Sequence, residues 1–561
     1  MQTIIYGLAC AGLTWGCFII AVQALGTYKL FRHYSSTPRP PVSPTLPKDE
    51  VPHITIIRPA KGLEPGLYEC LASVFYQNYP RDKLTIYLCV ESKQDPAYPV
   101  LSQLVSDFPD FDAQVFVETE DPHLQHNTDI GPNPKIRNLS RAYREAKGDI
   151  LWPIDCNVWI AKDVAGRMVD RLCGYQPGGK RTTPYKFVHH LPLVVDTVTS
   201  MSHVNTEGQA LLSNSMVTGG SGLGDVGVPS SILSRSWEHG GGRLEEMFMA
   251  TTHAKFYFAI NTAAVAPCIV GKSNMFRKSD LDEATDPARN PQLTGTSATL
   301  PKGIDHFSSY MCEDHVIGEL LWRLKRPGFK RHGLVYGDLA IQPMAGMSVR
   351  AYAARRVRWL RARKWTVLLA TLVEHGVESL VCCFYLSFGL TTLLPPPGST
   401  TTTTWSWSAT GWCWLATVTL WMLVDRAVFK LLHAGHSISV DADTPPFARG
   451  ASRGGAEKRP FGQWLLAWLG REALAFPIWF WAVFFGTGVS WRGRRFRVRA
   501  DMTVVAVDDD DEDVKTTTYQ ETVSKIKGNV NGKAAAEVSH SRRVSEEDSV
   551  RETTTRGGKM D

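Results

Sequence analysis

The sequence predicts an α/β domain with a mostly parallel sheet, set between an N-terminal transmembrane helix and C-terminal membrane helices. Three observations predict it. Apolar strand runs alternate with helical segments from about residue 51 to residue 157. An apolar run of membrane-crossing length opens the chain, and apolar residues and tryptophans bunch again between 366 and 490. A chain of 561 residues has room for one large domain with such additions.

The first run, Ile4 to Leu25, has no basic segment before it and no small-x-small cleavage site after it, so an uncleaved anchor over 1–34 is expected. Lys29, Arg32 and His33 follow directly, which places the N-terminus in the lumen and the next domain in the cytosol. Residues 35–50 are proline-rich and polar and read as a linker. The α/β domain is expected over 51–365. ITIIRPAKG, LTIYLCVES, AQVFVET and DILWPIDCN are apolar on both faces, as strands covered by helices should be. LYECLASVFYQNYP, VLSQLVSDF and IRNLSRAYREAKG between them have helical spacing, so right-handed βαβ units follow.

The Gly/Ser-rich stretch 203–242 and the polar stretch 283–303 read as surface insertions or mobile loops; neither carries GKS/T, and a glycine cradle for phosphate is the weaker reading. After an interfacial helix over 349–365, apolar runs at 376–394, 409–424 and 473–488 read as membrane helices within 366–490. The string WRGRRFRVR beyond them holds five arginines, and three full spans would send it to the lumen. The last run is therefore expected to be re-entrant or interfacial. Within 491–561, the basic segment leads into a charged tail expected to be disordered from about residue 507. A net charge of +6 is too mild for a dedicated nucleic-acid binder. The eleven cysteines show no CxxC pair and no zinc-ligand spacing, which suits a reducing compartment.

Four features bear chemistry. Asp95 follows the strand LTIYLCV, and Asp155 ends the strand of DILWPIDCN, both where open α/β sheets bind ligands. Taken alone, each is as well explained as a turn or loop cap. Asp155 suits a hard cation on a diphosphate, although Asn157 stands where a second carboxylate would complete a DxD pair. Glu313-Asp314 opens a helix, where acids suit the dipole and where a carboxylate can serve as general base. Arg355, Arg358 and Trp359 form R-x-x-R-W on a helix that runs toward apolar sequence. They read either as a basic belt for anionic lipid or as a guanidinium pair for a leaving diphosphate with an aromatic platform for the acceptor.

In this order, and between membrane segments, these residues resemble the pattern of the inverting GT-A glycosyltransferases, the superfamily of cellulose, chitin and hyaluronan synthases. RPAKGLEP, CVESKQDPA, NPKIRNL, VHHLP, LEEMFMATTHAKFYFAIN, GKSNMFRK and REALAFPIWFW narrow the resemblance to the ceramide glucosyltransferases, from the first anchor to about residue 500. The insertions, a further one at 438–460 included, and the acidic tail look like a fungal version.

The resemblance implies a Rossmann-like GT-A fold and a cytosolic catalytic domain on a multi-pass protein of the Golgi or endoplasmic reticulum membrane. UDP-glucose, ceramide and the lipid bilayer would be its partners, with no nucleic acid and with a homo-oligomer left open. By position, Asp95 would contact the uridine and Asp155 would organise the diphosphate with Mg²⁺ or Mn²⁺. Asp314 would be the base, and Arg355, Arg358 and Trp359 would hold the leaving UDP and line the acceptor mouth. Lys135 and His189 would assist at the nucleotide sugar, although a lone histidine is more often structural. A processive polysaccharide synthase would need more spans for a polymer channel, and a non-catalytic scaffold would tolerate the loss of all three aspartates.

Overall fold

Seven strands make one sheet in the order β3-β2-β1-β4-β6-β5-β7 in the computed structural model, which describes residues 2–127, 129–197, 237–394, 406–451, 459–491 and 493–507. Most of the Gly/Ser-rich stretch and the acidic tail lie outside the described residues. The four strands read from sequence are all present: β1 (Ile54–Pro59), β2 (Leu84–Val90), β3 (Asp112–Val117) and β4 (Ile150–Pro153). They pair in parallel, β1 with β2 and β4, and β2 with β3. Every residue of β1 and β2 is buried, as the two-faced apolar runs require.

The remaining three strands were not legible. β5 (Tyr185–Asp196) and β7 (Lys330–Met344) are parallel to each other, and β6 (Asn274–Arg277) lies antiparallel between β4 and β5. β5 carries His189, His190 and Pro192 inside its apolar run, which hides the strand pattern.

Helices α1 (Gln2–Tyr34), α2 (Leu67–Ala72), α3 (Tyr98–Asp107), α4 (Pro134–Arg144) and α5 (Val164–Cys173) accompany this half of the chain. The helix expected through Pro80 stops at Ala72, where Ser73 Oγ donates to the Cys70 carbonyl at 2.6 Å and the chain continues in turns. The expected linker is not free. The backbone N–H groups of Val42 and Ser43 donate to Asp170 at 2.6 and 2.7 Å, which pins residues 35–50 to α5. The stretch 283–303 is likewise tied down, with Leu293 buried and Asn290 donating to the Ala284 carbonyl.

The second half adds α6 (Gly241–Phe248), which runs through a π-turn at Met249–His253 into α7 (Ala254–Ala263). After it come α8 (Lys278–Ala284), α9 (Glu313–Arg323), α10 (Val349–Arg363), α11 (Ser379–Leu393), α12 (Trp407–His433) and α13 (Phe461–Phe484). The third apolar run, expected from residue 473, begins twelve residues earlier as α13, with Pro477 inside it. Among the described residues, α1 is the one helix long and apolar enough to cross a bilayer unaided. Leu368–Val377 and Ser379–Leu393 reach that length only together, across a 72° bend.

Polar groups are paired where these helices meet. Asp425 of α12 pairs with Lys255 of α7 at 2.5 Å and accepts from the Trp468 indole of α13 at 2.8 Å, and Arg471 of α13 pairs with Glu378 at 2.8 Å. Such pairing is what makes a charge tolerable away from water. Residues 488–497 carry an antiparallel hairpin, β8 (Gly488–Trp491) with β9 (Arg494–Val498), in which Phe496 is buried and Arg494, Arg495 and Arg497 are exposed.

Small residues let α1 dock. A Cβ on Gly16 would sit 2.8 Å from Leu386 Cβ of α11, and one on Gly26 would sit 2.0 Å from the Lys255 carbonyl oxygen of α7. The second contact is with backbone that cannot rotate away, so Gly26→Val should cost more than about 3 kcal/mol. A large fall in the melting temperature of the detergent-solubilised protein is expected, while Gly7→Val, with nothing within 4 Å, should melt like the parent.

Candidate active site

Three backbone segments meet beyond the carboxyl end of β4. The first is the loop after that strand. Ile154 N–H donates to the Ile57 carbonyl, and Arg58, fully buried at the end of β1, donates to the carbonyls of Cys70, Cys156 and Val158 at 3.0, 3.1 and 2.9 Å. Burial pulls that guanidinium down to about 10, still charged at neutral pH. The loop carrying Asp155 is therefore braced from beneath.

The second segment is 270–273, ahead of β6. Asp155 N–H donates to the Lys272 carbonyl at 3.1 Å, and Ile154 bridges Ser273. The third is the pair of helix starts at α4 and α9. Asn133 caps α4, accepting from Lys135 N and Ile136 N, and Pro134 fills the first helical position. The same Asn133 donates to the Tyr310 carbonyl at 2.6 Å and to Glu313 at 3.4 Å, which ties the start of α9 to the start of α4. The NPK string is thus a helix start that aims a lysine.

These segments line one cavity with Lys135, Asp155, Gly271, Asn274, Glu313 and Asp314 on its wall. Lys135 Nζ lies 3.0 Å from Asp155 Oδ1 and 3.1 Å from Glu313 Oε1, and donates to the Gly271 carbonyl at 3.2 Å. Lys272 Nζ lies 3.0 Å from Asp155 Oδ2 and donates to Asn157 Oδ1 at 3.3 Å. Burial works to raise the Asp155 carboxyl, but the two lysines outweigh it and hold it well below the usual carboxylate range. Burial likewise opposes the Lys135 ammonium, and Asp155, Glu313 and Asp314 together push it above the usual lysine range. Glu313 is raised, by burial first and by Asp314 beside it, against the pull of Lys135. The Cys312 thiol donates to Asp314 Oδ1 at 3.7 Å.

The other residues read from sequence lie off the wall of this cavity. Asp95 lies in the loop after β2, where its Oδ1 accepts from Gly62 N at 2.8 Å and Ala97 N at 2.9 Å; it shares the carboxyl edge of the sheet with Asp155. His189 is fully buried on β5, hydrogen-bonded through Nδ1 to the Tyr257 hydroxyl, and burial pushes it down to about 3. It does not line the cavity, whereas Phe187, two residues before it, does. Arg355, Arg358 and Trp359 lie on α10, outside the cavity wall. Arg355 pairs with buried Glu245 at 2.9 Å and its guanidinium sits 4.8 Å over the Trp359 ring. Arg356, between the motif arginines, is buried 3.6 Å over Phe248.

The end of α10 comes nearer. Arg363 pairs with Glu374 and acts electrostatically on Cys312 and Cys268. Sequence reasoning missed Lys272, Arg356 and Arg363. The arginines could have been found by counting the buried face of the helix; Lys272 stands in the resemblance-bearing string GKSNMFRK, but nothing local singles it out within that string until β6 is known.

A divalent cation at Asp155 was the expectation. Both Asp155 oxygens face ammonium groups, the Asn157 oxygen faces the second of them, and no group of three or more His, Cys, Asp or Glu able to hold a metal is found among the described residues. A 2+ ion about 4 Å from an ammonium meets repulsion on the order of 8 kcal/mol at an effective dielectric of about 20. The residues present do not fit a resident cation.

The sequence pattern of glycosyl transferase family 21 matches residues 16–206 and 214–504. A ceramide glucosyltransferase of Pyricularia oryzae is 55% identical over 90% of this chain and 96% of its own. One of Gibberella zeae is 50% identical over 91% and 96%, and one of Candida albicans is 35% identical over 80% and 87%. Among solved structures, a mannosyltransferase of Pyrobaculum calidifontis in complex with GDP-Man and Mn²⁺ is 15% identical, spanning 77% of this chain and 98% of its own at a TM-score of 0.36.

Gly271 packs against the acid at the start of α9. A Cβ there would lie 3.0 Å from Asp314 Cβ and 3.1 Å from its Oδ2. Gly271→Val should displace that carboxylate and lower turnover by about 10²-fold, the scale of a misplaced reacting group. The melting temperature should change little; unchanged turnover would separate Asp314 from the chemistry.

Proposed function

The chain belongs to glycosyl transferase family 21, and from that premise we propose that it transfers glucose from UDP-glucose to the primary hydroxyl of ceramide, giving β-glucosylceramide by a single inverting displacement. The observation that carries the site assignment is that Asp155 and Asp314, far apart in sequence, line one cavity at the carboxyl edge of the sheet. Asp314 takes the proton of the ceramide hydroxyl as its oxygen attacks the anomeric carbon, and UDP departs from the opposite face. No enzymic nucleophile takes part. Lys135, held between Asp155 and Glu313, supplies fixed positive charge at the diphosphate end of the pocket, where negative charge grows as UDP leaves.

Asp95 receives the uridine from the neighbouring loop. His189, fully buried against Tyr257, supports the pocket wall behind Phe187 rather than touching the donor. A cation that accompanies the donor would have to displace one lysine from Asp155. Arg355 and Trp359, stacked and tied to Glu245, hold α10 in place, and Arg358 on the same helix meets the departing UDP at the acceptor mouth.

The protein is a multi-pass membrane enzyme, in Golgi or endoplasmic reticulum membranes, with its catalytic face in the cytosol. Exposed large apolar side chains on α1 (Leu8, Phe18), α12 (Trp412, Leu420) and α13 (Leu466, Trp481) support contact with lipid. Ceramide is insoluble, and a pocket next to such helices lets it enter from the bilayer.

Incubation with labelled UDP-glucose and ceramide should give one labelled lipid of glucosylceramide size. Asp314→Asn should lower its formation by ~10²-fold or more while the protein stays folded. Parent-like product formation by that variant would reject Asp314 as the base.

A further inference from the structure

We propose that Lys272 binds the donor: its ammonium and that of Lys135 form a two-point clamp on the diphosphate of the nucleotide sugar and take the place of a resident divalent cation. This rests on the reading of the cavity as a nucleotide-sugar site; Lys272 stands behind Asp155 and next to Gly271, both on the cavity wall.

The placement of Lys272 is specific. Its carbonyl accepts from Asp155 N–H at 3.1 Å, its own N–H donates to the Val270 carbonyl at 2.7 Å, and its ammonium returns to Asp155 Oδ2 at 3.0 Å. Backbone and side chain thus hold the same acid. The residue is buried, and a buried ammonium persists only beside anions that compensate it. Lys135 occupies the other Asp155 oxygen at 3.0 Å, so one carboxylate stands between two ammonium groups.

Asn157 completes the pattern. A second carboxylate there would help grip a metal, but the amide accepts a hydrogen bond from Lys272 at 3.3 Å and adds no negative charge. Glu313 is already engaged by Lys135 at 3.1 Å. On donor binding the phosphate oxygens take the ammonium hydrogen bonds that Asp155 now accepts, and Asp155 stays behind as the group that positions both lysines. A cation delivered to the same spot would face two like charges.

The test is binding of UDP, measured by calorimetry on the full-length protein in detergent micelles. In excess EDTA the parent should bind UDP within about threefold of its affinity in Mg²⁺. Lys272→Met should bind about 10- to 100-fold more weakly in EDTA, the scale of one charge-assisted hydrogen bond, and should recover part of that loss in Mg²⁺. Lys272→Arg should keep most of the EDTA-resistant binding. The melting temperature of each variant without nucleotide separates lost contact from lost fold. Parent protein that binds UDP only with Mg²⁺ or Mn²⁺ overturns the proposal, whatever the variants do, and so does a folded Lys272→Met that binds like the parent in EDTA. No UDP binding and no glucose transfer by the parent in any cation would instead overturn the reading of the cavity as a donor site.

Discussion

Asp155 between two lysines is the interaction on which the rest of the structure turns. Lys135 comes from the first turn of α4, Lys272 from the segment ahead of β6, and Asp155 from the end of β4, so the three-way contact fixes the relative placement of a parallel βαβ unit and the antiparallel strand beside it. A half-buried carboxylate with one ammonium on each oxygen is costly to break. Removing either lysine leaves the acid short of charge, and removing the acid leaves two cations facing each other. Through Lys135 and Asn133 the same contact reaches Glu313, and with it the start of the helix that carries Asp314. One network thus ties Asp155 to the start of the helix that carries the proposed base.

The network also explains why the chain keeps such a pocket near apolar helices. α10 ends in Arg363, which pairs with Glu374 and whose charge reaches Cys312, next to the proposed base. Beyond Glu374 the chain bends by 72° into α11, which lies along α1. Covalent continuity and ion pairing thus run from the end of α10 to the helices that carry the exposed apolar side chains. For a reaction that joins a water-soluble sugar nucleotide to a lipid, this adjacency is the main geometric demand on the fold.

Much of this was legible in the sequence where the physics is local. The strands β1 to β4 follow from apolar runs covered on both faces, and α4 follows from the helical spacing of IRNLSRAYREAKG, although its Asn133 cap and Pro134 start were not read. Asp155 and Asp314 stand at element ends, where each alone reads as a cap, and only the ordered set of motifs marked them as candidates. The parts that escaped depend on tertiary context. β5 breaks its apolar pattern with two histidines that are tolerable only because burial keeps them neutral, each pushed down to about 3. Lys272 looks like an ordinary surface lysine until β6 sets the loop before it against Asp155. The linker at 35–50 has a disordered composition, yet it is held by two backbone hydrogen bonds to one carboxylate, Asp170, from a helix far along the chain. His189 shows the converse: a histidine in a resemblance-bearing string, placed by the fold behind the cavity wall.

The central claim is that one pocket brings the departing diphosphate to the lysines at Asp155 and the lipid hydroxyl to Asp314. A structure of the full-length protein with UDP and a short-chain ceramide bound tests it most directly. The account predicts the diphosphate oxygens within hydrogen-bonding distance of Lys135 and Lys272, and the ceramide primary hydroxyl within hydrogen-bonding distance of Asp314. A diphosphate lodged elsewhere, with Asp155 still clasped by both lysines, or a ceramide hydroxyl turned away from Asp314, would contradict it.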